Sequence, residues 1–234
     1  MFHFKQFSVS DNKSTMKVGT DAVLLGIEAG KFDAENVLDV GTGCGIVALL
    51  IAQQTNAFID AIDIDQESCI EAAENFSLSP WKNRLNAVNS DFICFSEQSG
   101  KCFDLIVSNP PFFSSGEQKK DERIGRARHS NSLDFLALTQ GASKMMNKHG
   151  TFIVILPKER LSEFNTIALQ SGLYPISVKI IHPIEGKKPK RCVAAFGKEH
   201  VEKVDHSNLT IRSHDLAYTH EFKKHVYDFY LDLL

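Results

Sequence analysis

The sequence predicts an α/β fold with a seven-stranded, mostly parallel sheet, helices on both faces and an antiparallel hairpin near the C-terminus. From about residue 20 to residue 171, short apolar runs alternate with segments of helical periodicity, the pattern of parallel strands joined by helices. Two strand-like runs follow, 174–182 and 191–196, with a turn-forming segment between them. The chain has 234 residues, of which 43% are hydrophobic and 24% charged, and this composition suits one globular domain with a large core.

Each element follows from a local pattern. Residues 1–19 are predicted to be extended with one turn, and Thr20 and Asp21 are predicted to cap a helix that Gly30 ends. The predicted strands are 37–40, 58–63, 86–88, 103–108, 151–156, 174–182 and 191–196, and 209–211 is predicted to add a short one. The predicted helices are 22–29, 46–52, 66–76, 133–147, 158–171 and 219–234. The helix 66–76 is expected to bury the face that carries Ile70, Ala73 and Phe76.

Composition bounds the compartment and the partners. No apolar run approaches the roughly 20 residues that span a bilayer, and the N-terminus has no signal-peptide pattern, so we expect a cytoplasmic protein without membrane contact. The five cysteines form no CxxC pair and the nine histidines are scattered, so neither a disulfide framework nor a metal site is expected. A net charge of −3 argues against a general nucleic-acid coat but leaves room for a local basic face.

A glycine turn follows the first predicted core strand. Gly41-Thr42-Gly43-Cys44-Gly45 has the spacing GxGxG, and glycines let the backbone turn tightly and let a ligand approach without interference from Cβ atoms. Ligands of such folds bind at the carboxyl ends of the strands. A dinucleotide fingerprint would carry its last glycine at position 46, which is Ile46. The spacing therefore weighs against a nicotinamide cofactor and favours S-adenosylmethionine, which has no pyrophosphate to hold.

Carboxylates follow the predicted strands at the same edge. Asp63 ends the second strand, where it could accept both ribose hydroxyls, and Asp91 follows the third, where it could accept from the adenine amino group. Asp39 lies near the expected position of the ligand's ammonium group. Asp65 competes with Asp63, although a residue at its position more often caps the following helix. The expected cofactor-binding residues at this edge are Asp39, Gly41, Gly43, Gly45, Asp63, Ile64, Asp91, Phe92 and Asn109.

The strand 103–108 ends in a stiff polar and aromatic tip, Asn109-Pro110-Pro111-Phe112. An aromatic exocyclic amine is a poor nucleophile because its lone pair is delocalised into the ring. The side-chain carbonyl of Asn109 and the backbone carbonyl of Pro110 can each accept one N–H, which would hold the nitrogen toward a methyl group. Phe112 offers a face for base stacking. These four residues are the expected catalytic residues, and no catalytic base is assigned because the nitrogen loses its proton after transfer.

The tip resembles that of the amino-methyltransferases of the class I, S-adenosylmethionine-dependent superfamily, whose motif is (D/N/S)-P-P-(Y/F/W). The resemblance implies their Rossmann-like class I methyltransferase fold. Residues 16–26 resemble the opening of the bacterial valine-tRNA adenine-37 N6-methyltransferase family, and 127–129 and 188–191 also match that family. This implies N6-methylation of an adenine in tRNA, adenine 37 in the anticodon loop of a valine tRNA. By carry-over from the family, Lys17, Thr20 and Asp21 would close over the cofactor.

Two basic segments are candidates for RNA contact. One follows the tip and the other joins the last two predicted strands, and both are expected near the glycine turn. They could contact phosphates while an unpaired anticodon-loop base enters the pocket at little cost. Solvated charged loops are the alternative. The expected substrate-binding residues are Phe112, Arg126, Arg128, His129, Lys187, Lys188, Lys190 and Arg191.

Residues 1–234 are expected to form one methyltransferase domain: an extended cap at 1–19, a catalytic core at 20–200 and a C-terminal strand and helix at 201–234. The expected partner is the anticodon region of tRNA, without an obligate protein partner. Three alternatives stay open. A protein glutamine N5-methyltransferase would usually carry an N-terminal helical domain, and a DNA adenine N6-methyltransferase an added target-reading domain. A non-catalytic RNA-binding protein on this scaffold would be expected to lose the acids or the tip.

Overall fold

The structure is a computed structural model that describes residues 1–111 and 134–231. Its strands are β1 (Phe2–His3), β2 (Ser8–Val9), β3 (Asn36–Val40), β4 (Phe58–Asp63), β5 (Leu85–Asn89), β6 (Phe103–Ser108), β7 (Met146–Pro157), β8 (Tyr174–Ile184), β9 (Arg191–Gly197) and β10 (Asp205–Arg212). Its helices are α1 (Thr20–Ala29), α2 (Ile46–Gln54), α3 (Gln66–Ser77), α4 (Phe92–Gln98), α5 (Phe135–Met145), α6 (Leu161–Gln170) and α7 (His220–Val226).

The central sheet has the strand order β10-β8-β9-β7-β6-β3-β4-β5. β9 is antiparallel to both of its neighbours, β7 and β8, whereas the other adjacent strands pair in parallel. The predicted mostly parallel sheet with a C-terminal antiparallel hairpin is therefore confirmed. The sheet has eight strands rather than seven, because β10 pairs along β8 from Asp205 to Arg212. The short strand predicted at 209–211 is the middle of that pairing.

Helices cover both faces of the sheet, as predicted. Alternate residues of β7 enter different cores: Ile153 packs into the core beneath α1 and α2, whereas Phe152 packs beneath α5 and α6. Phe164 and Phe196 complete the second core with edge-to-face and tilted ring contacts around Phe135 and Phe152. Each fully buried side chain of this size stabilises the fold by about 1.5–3 kcal/mol, so the two cores fix the sheet and its edge.

Several predicted boundaries are wrong. Helix α4 was not predicted, although Asp91 caps it by accepting from the backbone N–H of Cys94 at 3.0 Å. The helix predicted at 133–147 ends at Met145, and β7 begins at once. Thr20 does not cap α1, because Gly19 occupies the cap position and no side chain bonds there. The closing helix ends at Val226 within the described range. Among residues 1–111 and 134–231, no helix combines the length and apolar character that crossing a membrane requires.

Candidate functional site

The parallel strands bring the carboxyl ends of β3, β4 and β6 to the centre of one sheet edge. Val40, the last residue of β3, pairs with Ile62 of β4 on one side and with Ser108 of β6 on the other. The glycine turn at 41–45 therefore begins between Asp63 and Asn109. The sheet topology thus brings together the residues that the sequence predicts for the cofactor and those it predicts for the amine.

The glycine turn needs its glycines for two different reasons. Gly41, Gly43 and Gly45 have φ values of +74°, +56° and +85°, in the region that side chains with a Cβ avoid. A Cβ added at Gly41 or Gly43 would meet nothing within 4 Å, so the turn faces open space there. A Cβ at Gly45 would lie 2.5 Å from the ring of Phe76 on α3. The first two glycines leave room for a ligand, and the third lets α3 pack against the turn.

Asp63 is fixed against the glycine turn. Its Oδ2 accepts from the backbone N–H of Gly43 and its Oδ1 from that of Asp65, both at 2.9 Å. Burial raises the pKa of Asp63 above its usual range. Asp65 caps α3 instead, because its carboxylate accepts from the backbone N–H of Ser68 at 2.9 Å. Asp63 therefore bonds the glycine turn, whereas Asp65 caps a helix. Ile64, between them in sequence, is 40% exposed.

Asp39 is almost completely enclosed, with 1% of its surface exposed. Its Oδ2 accepts a hydrogen bond from the Thr42 hydroxyl at 2.6 Å. Burial raises the pKa of Asp39 to about 7, and the nearby charge of Asp63 adds to the shift. The residue is therefore held beneath the glycine turn, and its charge depends on pH near neutrality.

The residues after β5 divide between a helix cap and the core. Asp91 lies at the start of α4 as its cap. Phe92 is 5% exposed, and a Cβ added to Gly141 of α5 would lie 2.4 Å from its ring. The Phe92 side chain therefore fills the space between α4 and α5 rather than the open edge.

The tip after β6 carries an unsatisfied acceptor. The Ser108 hydroxyl donates to the carbonyl of Val40 at 3.0 Å and ties the end of β6 to β3. Asn109 Oδ1 is inaccessible to solvent and has no hydrogen-bond partner among the described residues. A buried acceptor without a donor costs about 1–3 kcal/mol, and this one lies directly after the carboxyl end of β6. Pro110 is buried and Pro111 exposed, whereas Phe112 lies outside the described residues.

The residues expected to close over the cofactor have partners of their own. The Lys17 ammonium donates to the backbone carbonyls of Asp11 and Asn12. Thr20 is the exposed first residue of α1. Asp21 Oδ2 accepts from Arg191 Nε at 2.7 Å, so a residue expected to bind cofactor pairs with one expected to bind RNA.

The turn between β8 and β9 lies at the same edge of the sheet as the glycine turn. Arg191 pairs with Pro157 at the carboxyl end of β7 and with Ile181 near that of β8. β6 and β7 separate this turn from β3. Three of the expected RNA-binding residues are exposed here: Lys187, Lys188 and Lys190. With Phe112, three further expected substrate-binding residues lie outside the described residues: Arg126, Arg128 and His129.

Sequence reasoning missed two polar residues that support the site. Glu71 and Asn75 are 1% and 3% exposed on the buried face of α3. Of the three residues expected on the buried face, Phe76 is 3% exposed, as predicted. Ile70 is 40% exposed and Ala73 is exposed too, so the prediction is wrong for these two. The signal in the sequence was the spacing of four residues, which puts two polar side chains on one helical face.

Relatives are found along almost the whole chain. The family model of the methyltransferase small domain matches residues 12–155. A tRNA1(Val) (adenine(37)-N6)-methyltransferase of Photorhabdus laumondii is 39% identical over 232 residues, covering 98% of this chain and 95% of that protein. A protein of the same name from Flavobacterium johnsoniae is 37% identical over 100% of both chains.

Solved structures agree on the fold. A predicted O-methyltransferase from Agrobacterium tumefaciens has a TM-score of 0.67 at 19% identity, covering 89% of this chain and 94% of that one. A ribosomal protein L11 methylase from Lactobacillus delbrueckii has a TM-score of 0.53 at 21% identity, covering 76% and 77%. At these identities the likeness concerns the fold alone.

Proposed function

The chain belongs to the family of tRNA1(Val) (adenine(37)-N6)-methyltransferases, and from this premise we propose how its carboxyl-edge site methylates N6 of an adenine in tRNA. The methyl donor is S-adenosylmethionine, which when bound supplies an electrophilic methyl group on a sulfonium. The target is adenine 37 in the anticodon loop of a valine tRNA, by analogy with the relatives, and a cytoplasmic location follows from that substrate. The single observation that carries the mechanism is the unpartnered Oδ1 of Asn109.

The donor fits the described residues. The open space beside Gly41 and Gly43 admits a ligand against the backbone. Each carboxylate oxygen of Asp63 accepts one N–H and keeps a lone pair for a ribose hydroxyl. With the donor bound, Ile64 would offer an apolar surface to the adenine ring and Asp91 an acceptor to its amino group. The charge of Asp39 attracts the ligand's ammonium group.

Asn109 and Pro110 orient the amine of the substrate. Their carbonyls accept the two N–H groups, which directs the nitrogen lone pair away from both acceptors and toward the methyl group. Positioning and electrostatics therefore take the place of a strong base. The proton leaves the nitrogen after transfer, when the methylated amine is acidic.

The exposed lysines of the β8–β9 turn contact the tRNA backbone. Lys187, Lys188 and Lys190 lie at the edge where the base enters, and phosphate contacts position RNA without reading its sequence. Arg191 holds this turn to the start of α1 through Asp21. The turn and the cofactor side of the site are thereby joined by one ion pair.

The test compares Asn109→Ala with a matched control. Asn165 on α6 also has a buried Oδ1 without a hydrogen-bond partner among the described residues, but it is on a different element from the tip, so Asn165→Ala controls for loss of such a group. Methyl transfer from labelled S-adenosylmethionine into unmodified tRNA is measured with mass identification of the modified nucleoside. Asn109→Ala is expected to lose about 100-fold or more in turnover while keeping its affinity for the donor. Wild-type turnover in that variant would refute the role of the tip.

Parallel assays with other substrates distinguish tRNA methylation from DNA or protein methylation. Duplex DNA and a release-factor-like protein are offered in parallel with tRNA. N6-methyladenosine in tRNA alone is the expected result. Label in protein glutamine or in DNA adenine would keep the fold and the donor but replace the substrate.

A further inference from the structure

A buried carboxylate on α3 holds the segment that leads into α1. Glu71 Oε1 accepts from the backbone N–H groups of Asn12 at 2.7 Å and Lys13 at 3.0 Å, and from the Ser10 hydroxyl at 3.0 Å. Its Oε2 accepts from the backbone N–H of Ser14 at 2.8 Å. Although burial opposes it, these N–H groups hold the pKa of Glu71 below its usual range. We name residues 10–18 the N-terminal strap.

Asn75, one helical turn further on, connects the strap to the glycine turn. Its Oδ1 accepts from the backbone N–H of Ser10 at 2.9 Å. Its Nδ2 donates to the carbonyls of Ser10 and Cys44, both at 2.8 Å. Cys44 belongs to the glycine turn, so a single side chain fixes the strap relative to the backbone that faces the donor.

The strap is also closed on itself. Asp11 Oδ2 accepts from the backbone N–H of Val18 at 3.0 Å, and the backbone carbonyl of Asp11 accepts from the Lys17 ammonium. The Ser14 hydroxyl donates to the carbonyl of Met16 at 2.9 Å. The next residues begin α1, whose first turn bonds Arg191. The hydrogen bonds from α3 to the strap, and those within the strap, therefore fix the position of the N-terminal end of α1.

We propose that Glu71 is a positioning residue for the donor pocket: acting through the strap, its carboxylate sets the positions of Lys17 and of the N-terminal end of α1 relative to the glycine turn, to which Asn75 bonds the strap. Glu71 itself touches no reactant. The inference rests on the proposed function in taking this edge as the donor site. It adds a residue on another helix that determines how that site is closed.

The chemistry of the contact makes the charge necessary. Among the described residues, every hydrogen-bond partner of the Glu71 carboxylate is a donor, and a carboxylate only accepts. The isosteric Glu71→Gln would turn an NH2 group toward Ser14 N–H or toward the N–H groups of Asn12 and Lys13. In either orientation the NH2 group faces a backbone N–H, and those hydrogen bonds are lost. The variant therefore detaches the strap from α3 without changing the apolar packing of that helix.

The matched control lies one turn away. Glu74 on the same helix also binds the strap, through an exposed ion pair with Lys13 at 2.6 Å. Exposed pairs contribute little, so Glu74→Gln is expected to leave the donor site unchanged. Both variants remove one negative charge from α3, and only Glu71→Gln removes the anchor of the backbone.

The experiment measures donor affinity and turnover separately. S-adenosylhomocysteine affinity is measured by calorimetry, and the KM for S-adenosylmethionine and kcat by transfer into tRNA. Glu71→Gln is expected to raise both Kd and KM about tenfold or more, with kcat at saturating donor within about twofold of wild type. Hydrogen exchange is expected to speed up at residues 12–14 and to stay unchanged in the sheet. Glu74→Gln is expected to change none of these quantities.

Three results would overturn the proposal: wild-type Kd and KM in a folded Glu71→Gln, an equal loss in Glu74→Gln, or a fall of kcat with unchanged affinity. If Glu71→Gln does not fold, Asn75→Ala replaces it, because it removes the bridge to Cys44 and leaves Glu71 in place. It is expected to weaken donor binding in the same direction, and unchanged affinity would refute the strap. Because calorimetry needs no tRNA, a failure of the proposed RNA substrate would leave this test intact.

Discussion

Replacing the buried carboxylate of Asp39 is predicted to stabilise the protein near neutral pH. Asp39 is 1% exposed, and burial raises its pKa from 3.8 to about 7 against the opposing hydrogen bond from Thr42. A group whose pKa is raised on folding binds its proton more tightly in the folded state. Its contribution to stability is therefore complete below pH 3.8 and is lost as the pH rises through about 7.

The size of the effect follows from the shift. Each pKa unit corresponds to about 1.4 kcal/mol, so a shift of about three units amounts to about 4 kcal/mol. Asparagine imitates the neutral acid, and its carbonyl can still accept from the Thr42 hydroxyl. Asp39→Asn is accordingly expected to exceed wild type in free energy of unfolding by about 2 kcal/mol at pH 5 and about 4 kcal/mol at pH 8.

Urea unfolding of both proteins at pH 5, 6, 7 and 8 measures this difference. Asp205→Asn, at an exposed position of β10, controls for the general effect of removing a negative charge. A gap between Asp39→Asn and wild type that stays constant from pH 5 to pH 8 would refute the reasoning. So would a variant less stable than wild type at pH 8.

The same substitution tests the role proposed for Asp39 in binding. If the proposed role is right, loss of the Asp39 charge weakens S-adenosylmethionine binding by about tenfold, since charge-assisted contacts contribute about 1.5–3 kcal/mol. The variant would then be more stable and less functional, a combination that selection for function maintains at active sites. A stabilised variant with wild-type affinity would leave Asp39 without a part in donor binding.

Three further changes have defined outcomes. Gly45→Ala puts a methyl group 2.5 Å from the Phe76 ring at a φ of +85°, and urea unfolding is expected to register a loss of about 2–4 kcal/mol. Although burial opposes it, hydrogen bonds from a histidine and two lysines hold the pKa of Glu28 at about 2, so its stabilisation is present above about pH 4.5 and lost as the pH falls through about 2. Glu28→Gln is expected to cost about 3 kcal/mol at pH 7 and less than half of that at pH 3, by the same unfolding assay. Leu216→Gly relieves the positive φ of 68° at an exposed loop position and is expected to raise the thermal midpoint, with a gain of about 1 kcal/mol.

The parts of the fold that sequence predicts well are those set by local chemistry. The short apolar runs at β3, β4 and β6 alternate with helical segments, which predicts a parallel sheet, and a glycine-rich turn or a proline tip ends two of them. Chain topology then requires those ends to meet. Helix α4 escaped prediction because it spans only seven residues and has no apolar period long enough to detect. β10 was underestimated because its length depends on pairing with β8 and not on its own composition.

Buried polar residues are harder to predict, because their partners are distant in sequence. The apolar periodicity of α3 predicted that Ile70 and Ala73 are buried, whereas the structure exposes both and buries Glu71 and Asn75. The reason is that this face meets polypeptide backbone, about 60 residues earlier in the chain, and backbone requires acceptors and donors rather than methyl groups. Apolar periodicity predicts the buried face of a helix that packs against apolar side chains. It fails for α3, whose buried face packs against the backbone of the strap.

The ion pair of Asp21 and Arg191 shows how a contact between residues far apart in sequence changes the role expected for each. Considered separately, the first was expected to bind the donor and the second the RNA, yet each satisfies the charge of the other at 2.7 Å across 170 residues of sequence. Both side chains are about one-third exposed, so the pair contributes at most about 1 kcal/mol to stability. Its consequence is therefore positional. It joins the start of α1, where the strap ends, to the turn that carries the exposed lysines, so the proposed donor site and the proposed RNA contact are linked by this pair.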